Sequence, residues 1–360
     1  MKKTKLLALI GLLIAATVLF AYQRYVAPTR IVFVNYMDFM YDEIVQANDN
    51  SFIHTEQKAL SEDIFRSASR YDAIYLFAHG GVRLNDTQKE QVKAAIASGT
   101  AVIYRSPAPT PELEGLAESN LKYVNDCLQN STASNIRRML NYTRRVFDGK
   151  KTFVEGITDP FVYPKSYYYH LGDEEIFADK GGYISFLKKS GRYKEDGKNI
   201  AFVASQFGAS SETGFINQLI SRLEASGHNV FPIGAYGSAR VDYVKAIEPD
   251  MVIYNPHGKF GSDAGIKALK EGNILMLCPV VVFKPVEEWR ASKQGMDGGL
   301  LSQNVTMPEL DGGIVPFVIG AQFKNERGLY VFRGIEDRIE TFISLSNKYL
   351  ALKDMPNTEK

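Results

Sequence analysis

"NIAFVASQFGASSETGFINQLISRLEASGHNVFPIG", residues 199–234, holds a strand, a helix and a second strand in succession. The apolar run at 199–205 is short and β-rich, and the segment 212–226 then changes period. Phe215, Leu219, Ile220 and Leu223 fall on one helical face, the stripe such a helix buries against a sheet. The same alternation continues downstream with a helix at 240–247, the strand "DMVIYNP", a helix at 262–271 and the apolar run "NILMLCPVVVF". Strands alternating with helices predict a doubly wound, parallel-sheet α/β domain, Rossmann-like or flavodoxin-like, over residues 199–325.

Working outward, the strands "RIVFVNY", "DAIYLFAHGG" and "TAVIYRS", with a helix at 86–98 and a helical stretch at 120–147, predict a first α/β domain over 28–150. Residues 151–198 carry Gly, Pro and many Tyr with little periodicity and read as a connecting region. The last segment, 326–360, is expected to form a helix that packs across the domains. At the other end, Lys2, Lys3 and Lys5 precede "LLALIGLLIAATVLFAY", whose roughly 25 Å helical length is marginal for a bilayer core of about 30 Å. Residues 1–27 are therefore expected to be a membrane anchor or a signal segment, and a poor cleavage pattern favours the uncleaved anchor. The lysines ahead of the run suggest a soluble part exported to the periplasmic side, with the cytoplasmic side as the alternative.

A balance of 42 Lys and Arg against 41 Asp and Glu gives a net charge of +1, so no global field points to nucleic acid. Two cysteines are too few for a disulfide framework, and Cys278, ending "ILMLC", reads as a buried thiol. His79 and His257 each follow a strand and precede Gly, where ligands of open α/β sheets bind, so either imidazole is a candidate ligand to a metal or simply a turn residue. Ser210 lies in "SQFGASSETG", a strand-to-helix junction suited to an anion such as a propionate. Tyr169 closes a Tyr run that either stacks on a flat ligand or packs on the domain surface.

The block "EEWRASKQGMDGGLLSQNVTMPELDGGIVPFVIG", residues 287–320, resembles the Pro-Glu-Leu-Asp-Gly segment of the cobaltochelatase large subunit (CobN) and the porphyrin-binding subunits of magnesium chelatase. "YYYH", followed by "GGYISFLKK", is similar to the family's Tyr-His segment, and "NSTASNIRRMLNY" to its Asn-rich helix. The resemblance implies a tetrapyrrole as substrate or ligand, cobalt or iron as the metal handled, and ATP only through partner subunits. It also implies a longer protein, of which these residues are the N-terminal portion. Glu309, Asp311 and His170 become the candidate proton-transfer groups, with His79, His257, Trp289, Tyr169 and Ser210 as candidate tetrapyrrole contacts. The metal ligands stay unknown. Two functions remain open: a CobN-like subunit for metal insertion or removal, and a membrane-anchored tetrapyrrole- or haem-binding module without ATP-dependent activity.

Overall fold

Hydrophobic strands covered on both faces, the pattern read from the sequence, build an open sheet in each of two units, 1–162 and 163–360. The computed structural model describes residues 2–61, 64–78, 83–105, 116–171, 175–204, 213–235 and 238–355. Helix α1 (Lys2–Ala21) runs into a π-helical turn, Tyr22–Val26, and 20 residues of this stretch, Leu7–Val26, are long and apolar enough to cross a membrane.

The first sheet contains β1 (Thr29–Val34), β2 (Ile53–Lys58), β3 (Ala73–Phe77) and β4 (Ala101–Arg105), all parallel, in the order β2-β1-β3-β4. Successive side chains alternate between its faces. Ile31, Phe33, Tyr75 and Ile103 pack under α2 (Asp38–Ala47), α4 (Glu118–Gln129) and α5 (Ala133–Tyr142). Val32, Val34, Ile74 and Val102 pack under a 3₁₀ stretch, Ile64–Arg70, and α3 (Asp86–Ala97). Asn85 caps α3 with a reciprocal capping box to Gln88. The helical stretch expected at 120–147 comprises α4, α5 and a π turn, Thr143–Phe147, with Thr132 capping a fresh start at α5.

The second sheet is mixed, which corrects the expectation of an all-parallel one. It comprises β5 (Ser166–Tyr169), β6 (Ile176–Phe177), β7 (Asn199–Val203), β8 (Asn229–Ala235), β9 (Met251–Tyr254), β10 (Leu275–Pro285), β11 (Gly313–Lys324) and β12 (Tyr330–Gly334). Their order is β12-β11-β10-β9-β7-β8-β5-β6. The central five are parallel; β12 and β5 join them antiparallel, and β6 pairs antiparallel to β5. The expected connector 151–198 thus supplies two strands and helix α6 (Lys180–Lys189) to the second unit.

The crossover helices are α7 (Thr213–Ala225), α8 (Ser238–Ile247) and α9 (Asp263–Glu271). On α7 the stripe Phe215, Leu219, Ile220 and Leu223 is fully buried. After β10 come α10 (Val286–Ala291), then α11 (Gly298–Leu301), a π turn (Ser302–Thr306) and α12 (Met307–Leu310) as one helical run. The final helix, α13 (Glu336–Asp354), buries Ile339 and Phe342 and packs against β11 and α7 of its own unit.

One side chain ties the first unit together at the amino end of β1. Arg144, fully buried, donates to the carbonyls of Val26, Ala27, Phe52 and Thr152 and to Thr29 Oγ1 at 2.9–3.3 Å. Asp148 stands beside it, accepting from Thr29 and Lys150. Removing the guanidinium strands several buried acceptors. Arg144→Met should lower stability by about 3–5 kcal/mol, read as the urea midpoint of the full chain in mild detergent. A wild-type midpoint would refute this account of the site.

Candidate functional site

In each sheet the first parallel strand (β1 or β7) has the second (β2 or β8) on one side and the third (β3 or β9) on the other, an arrangement that opens a crevice at the carboxyl ends of the first and third. In the second unit those strands are β7 and β9. The chain leaving β9 is Asn255, Pro256, His257, Gly258, Lys259 and Phe260. Buried Asn255 donates its backbone N–H to Val203 at 2.9 Å and its side-chain amide to the Pro279 carbonyl at 3.2 Å, so it bridges β7 to β10. Gly258, at φ +95°, turns the chain back toward the core, a conformation that suits glycine.

That turn is held from three directions. Arg240, buried on α8, donates to the Phe260 carbonyl at 2.7 Å and the Lys259 carbonyl at 3.3 Å, and its guanidinium lies over the rings of Tyr254 and Phe260. The Gln303 carbonyl accepts the Gly258 N–H at 2.9 Å. The Asp311 carboxylate accepts the Phe260 N–H at 2.6 Å. His257, half-buried, rides on this clamped loop. Sequence reasoning missed Arg240. Its only signal was an arginine near the start of a helix beside a strand end, a pattern surface residues share.

Register places the Pro-Glu-Leu-Asp-Gly block at the opposite edge of the sheet. Gly313 opens β11 and pairs with Met276 near the start of β10, level with Val252 near the start of β9. The segment carrying the candidates Glu309 and Asp311 is therefore a short helix and its end, leading into the start of β11. Asp311, 8% exposed, is the helix C-cap and holds Phe260, whereas Glu309 is exposed. Gly312 has φ +89°. A Cβ on Gly313 would stand 2.5 Å from Cys278 Sγ, so this glycine is required by contact.

The remaining candidates are spread out. His170 follows β5, its Nε2 2.8 Å from Glu224 Oε1, while Arg192 reaches Glu224 Oε2 at 2.9 Å; both His170 and Glu224 are at least nine-tenths buried. From β11 to β5 is five strand steps, ~24 Å at about 4.8 Å each, so His170 does not share a hollow with Glu309 and Asp311. Tyr169 is buried with its ring tilted against Tyr167, which is the packing role. Trp289, on α10 beyond β10, stacks against Arg338, whose guanidinium is 5.3 Å from the Trp289 ring and 4.1 Å from that of Phe317. His79 and Ser210 lie outside the described residues. Among the described residues no three His, Cys, Asp or Glu side chains converge as a metal cluster. Asn304, in the π turn and 3% exposed, keeps Oδ1 without a hydrogen-bond partner among them.

Known proteins share both the sequence and the fold of this chain. A family model described as CobN/Magnesium Chelatase matches residues 125–360. An uncharacterized protein of Methanocaldococcus jannaschii is 26% identical over 255 residues, covering 63% of this chain and 20% of that protein. A magnesium-chelatase subunit of Chlorobaculum parvum is 24% identical over 246 residues, covering 64% of this chain and 19% of that protein. The catalytic subunit of cobaltochelatase from Mycobacterium tuberculosis superposes with a TM-score of 0.62 at 16% identity, over 91% of this chain and 28% of that one, a likeness of fold. The chain spans about a fifth of the length of these curated relatives.

The chemistry of the clamp can be tested at Asp311 and at the thiols. Asp311→Ala leaves a buried N–H unpaired and should cost about 1–3 kcal/mol, whereas Asp311→Asn retains an acceptor and should stay within about 1 kcal/mol of wild type in urea unfolding. Equal losses would contradict the capping role. Burial pushes the Cys127 and Cys278 thiols up to about 12, with the Asp311 and Glu309 carboxylates adding to the rise at Cys278. Both thiols stay protonated in the fold while the unfolded chain loses these protons near pH 9. Their contribution is thus complete below about pH 9 and falls as pH rises toward about 12. Native protein should resist thiol reagents at pH 8, and Cys127→Ala/Cys278→Ala should flatten the alkaline loss of stability.

Proposed function

We propose, because the chain belongs to the CobN/magnesium chelatase family, that its second unit presents a tetrapyrrole-binding surface at the carboxyl edge of β7 and β9. The observation that carries this reading is the clamped loop bearing His257. Its backbone groups are tied to Arg240, Gln303 and Asp311, so the backbone that carries the imidazole is held before any ligand arrives. Preorganisation of this kind removes the ordering cost from binding.

Metal insertion into a tetrapyrrole takes two protons off pyrrole nitrogens, and removal returns two. A positioned imidazole can accept and donate at neutral pH, or approach the metal from one face. His257 is assigned that role. Asp311 acts through the loop, as a positioning residue. Glu309 is the exposed carboxylate of its block and takes no part at the carboxyl edge. Cobalt or iron is then substrate, with ATP hydrolysis left to partner subunits that act with the whole protein.

The apolar segment Leu7–Val26 supports a second reading, a membrane-anchored module that binds haem or removes its iron without ATP. Three lysines before that segment favour an exported soluble part.

Titration of the full chain in detergent with haem, a metal-free porphyrin and a metal-free corrin separates these readings. A saturable absorption shift is expected with at least one of them. His257→Ala should weaken it roughly tenfold, equivalent to about 1.4 kcal/mol. Release of metal-free porphyrin from haem without ATP would favour the haem-removal reading. No shift with any of the three would overturn both, and a shift indifferent to His257→Ala would move the site elsewhere.

A further inference from the structure

The geometry points to a membrane-contacting rim on the first unit, formed by Tyr25, Lys151 and Phe153, which sets how that unit stands on a lipid bilayer. The inference rests on the reading of Leu7–Val26 as an anchor and extends it to Lys151 and Phe153, which lie outside that segment.

The helix end is joined rigidly to the fold. Between the π turn ending at Val26 and the start of β1 at Thr29 lie only Ala27 and Pro28. The carbonyls of Val26 and Ala27 are both held by buried Arg144. Thr152 donates its hydroxyl to the Tyr25 carbonyl, and the Arg24 guanidinium lies against Gly149. The helix therefore cannot swivel freely about a linker, and the segment 149–153 is bound to its last turn.

The side chains that this joint leaves exposed have interfacial character. Tyr22 and Tyr25 are about half exposed, with Arg24 between them and Lys151 exposed nearby. Phe153 is 58% exposed and adopts φ +53°, a conformation that costs a bulky residue free energy. It is kept there by Asn50, which donates to its carbonyl at 2.9 Å, and by stacking on Phe52 at 4.3 Å between ring centroids. Aromatic rings flanked by cations at the end of an apolar helix match the headgroup layer of a bilayer. A soluble partner would leave unexplained the side chains of Leu7–Val26, none of which is buried in the chain.

β1 starts just beyond the helix end and spans six residues, roughly 20 Å at 3.3 Å each, so the amino edge of the first sheet lies next to the anchor and the carboxyl edge is separated from it by the length of the strands.

Spin labelling of the full chain tests this in phosphatidylcholine and phosphatidylglycerol vesicles. Cys127 and Cys278 are buried, so labels go to introduced cysteines alone. Four variants are compared: Phe153→Cys, Lys151→Cys, Ala59→Cys at the carboxyl edge, and Leu12→Cys within the apolar helix. The ratio of oxygen to water-soluble nickel-chelate accessibility should be several-fold higher at 153 than at 59, with 151 between them and 12 highest. Labels at 153 and 151 as water-exposed as at 59, with 12 in lipid, would overturn the rim while leaving the anchor. A water-exposed label at 12 would overturn the anchor and the rim together.

Discussion

The second unit depends on a buried carboxylate accepting one backbone amide. Asp311 and Phe260 are 51 residues apart in sequence, and the 2.6 Å bond between them joins the end of the β10–β11 crossover to the loop after β9. Buried backbone polar groups must find partners. In this loop Gly258 and Phe260 donate to Gln303 and Asp311, while the Gly258, Lys259 and Phe260 carbonyls accept from Tyr254 or Arg240. A loop so satisfied has little to gain from other conformations. The Asp311 carboxylate is satisfied by the Phe260 amide although it stands at a helix C-terminus, whose dipole disfavours an anion, and it pushes the neighbouring Cys278 thiol further from ionisation.

Both units use a buried arginine where sheet and connection meet. Arg144 gathers carbonyls from three separate segments at the amino end of the first sheet, and Arg240 gathers them at the carboxyl end of the second. A guanidinium offers five donors in a fixed plane, so one side chain can satisfy several carbonyls that no strand partner reaches. Glu224 does the reverse beside β5, receiving His170 on one oxygen and Arg192 on the other. This ion cluster lies where β5 adds to the parallel core with opposite direction. His170 is held in that join by its contact with Glu224.

What the sequence revealed follows from burial. β1, β3, β7, β9 and β10 are covered on both faces and read as continuous apolar runs, and the α7 stripe was identified residue by residue. β2, "IHTEQK", is an edge strand with one fully buried residue, so its composition resembles a loop. β5 and β6 escaped because four and two residues carry no usable period, and the pairing of β5 with β8 depends on contacts across 60 or more positions. The Pro-Glu-Leu-Asp-Gly block was legible as a motif but not as a location. Spacing shows that a helix precedes a strand; only register shows at which edge of the sheet that junction falls.

That location changes what the block explains. Pro308 sits where the π turn passes into α12, and its carbonyl closes the turn on Asp311. Asp311 holds the facing loop, Gly312 supplies the left-handed residue that ends the helix, and Gly313 leaves room for Cys278. Four of the positions thus answer to folding. Glu309 and Leu310, the latter 70% exposed, do not. An acid and a leucine turned to solvent beside positions fixed by packing mean that the block anchors the loop carrying His257 from below. That anchoring passes through a single bond, from the Phe260 amide to the Asp311 carboxylate.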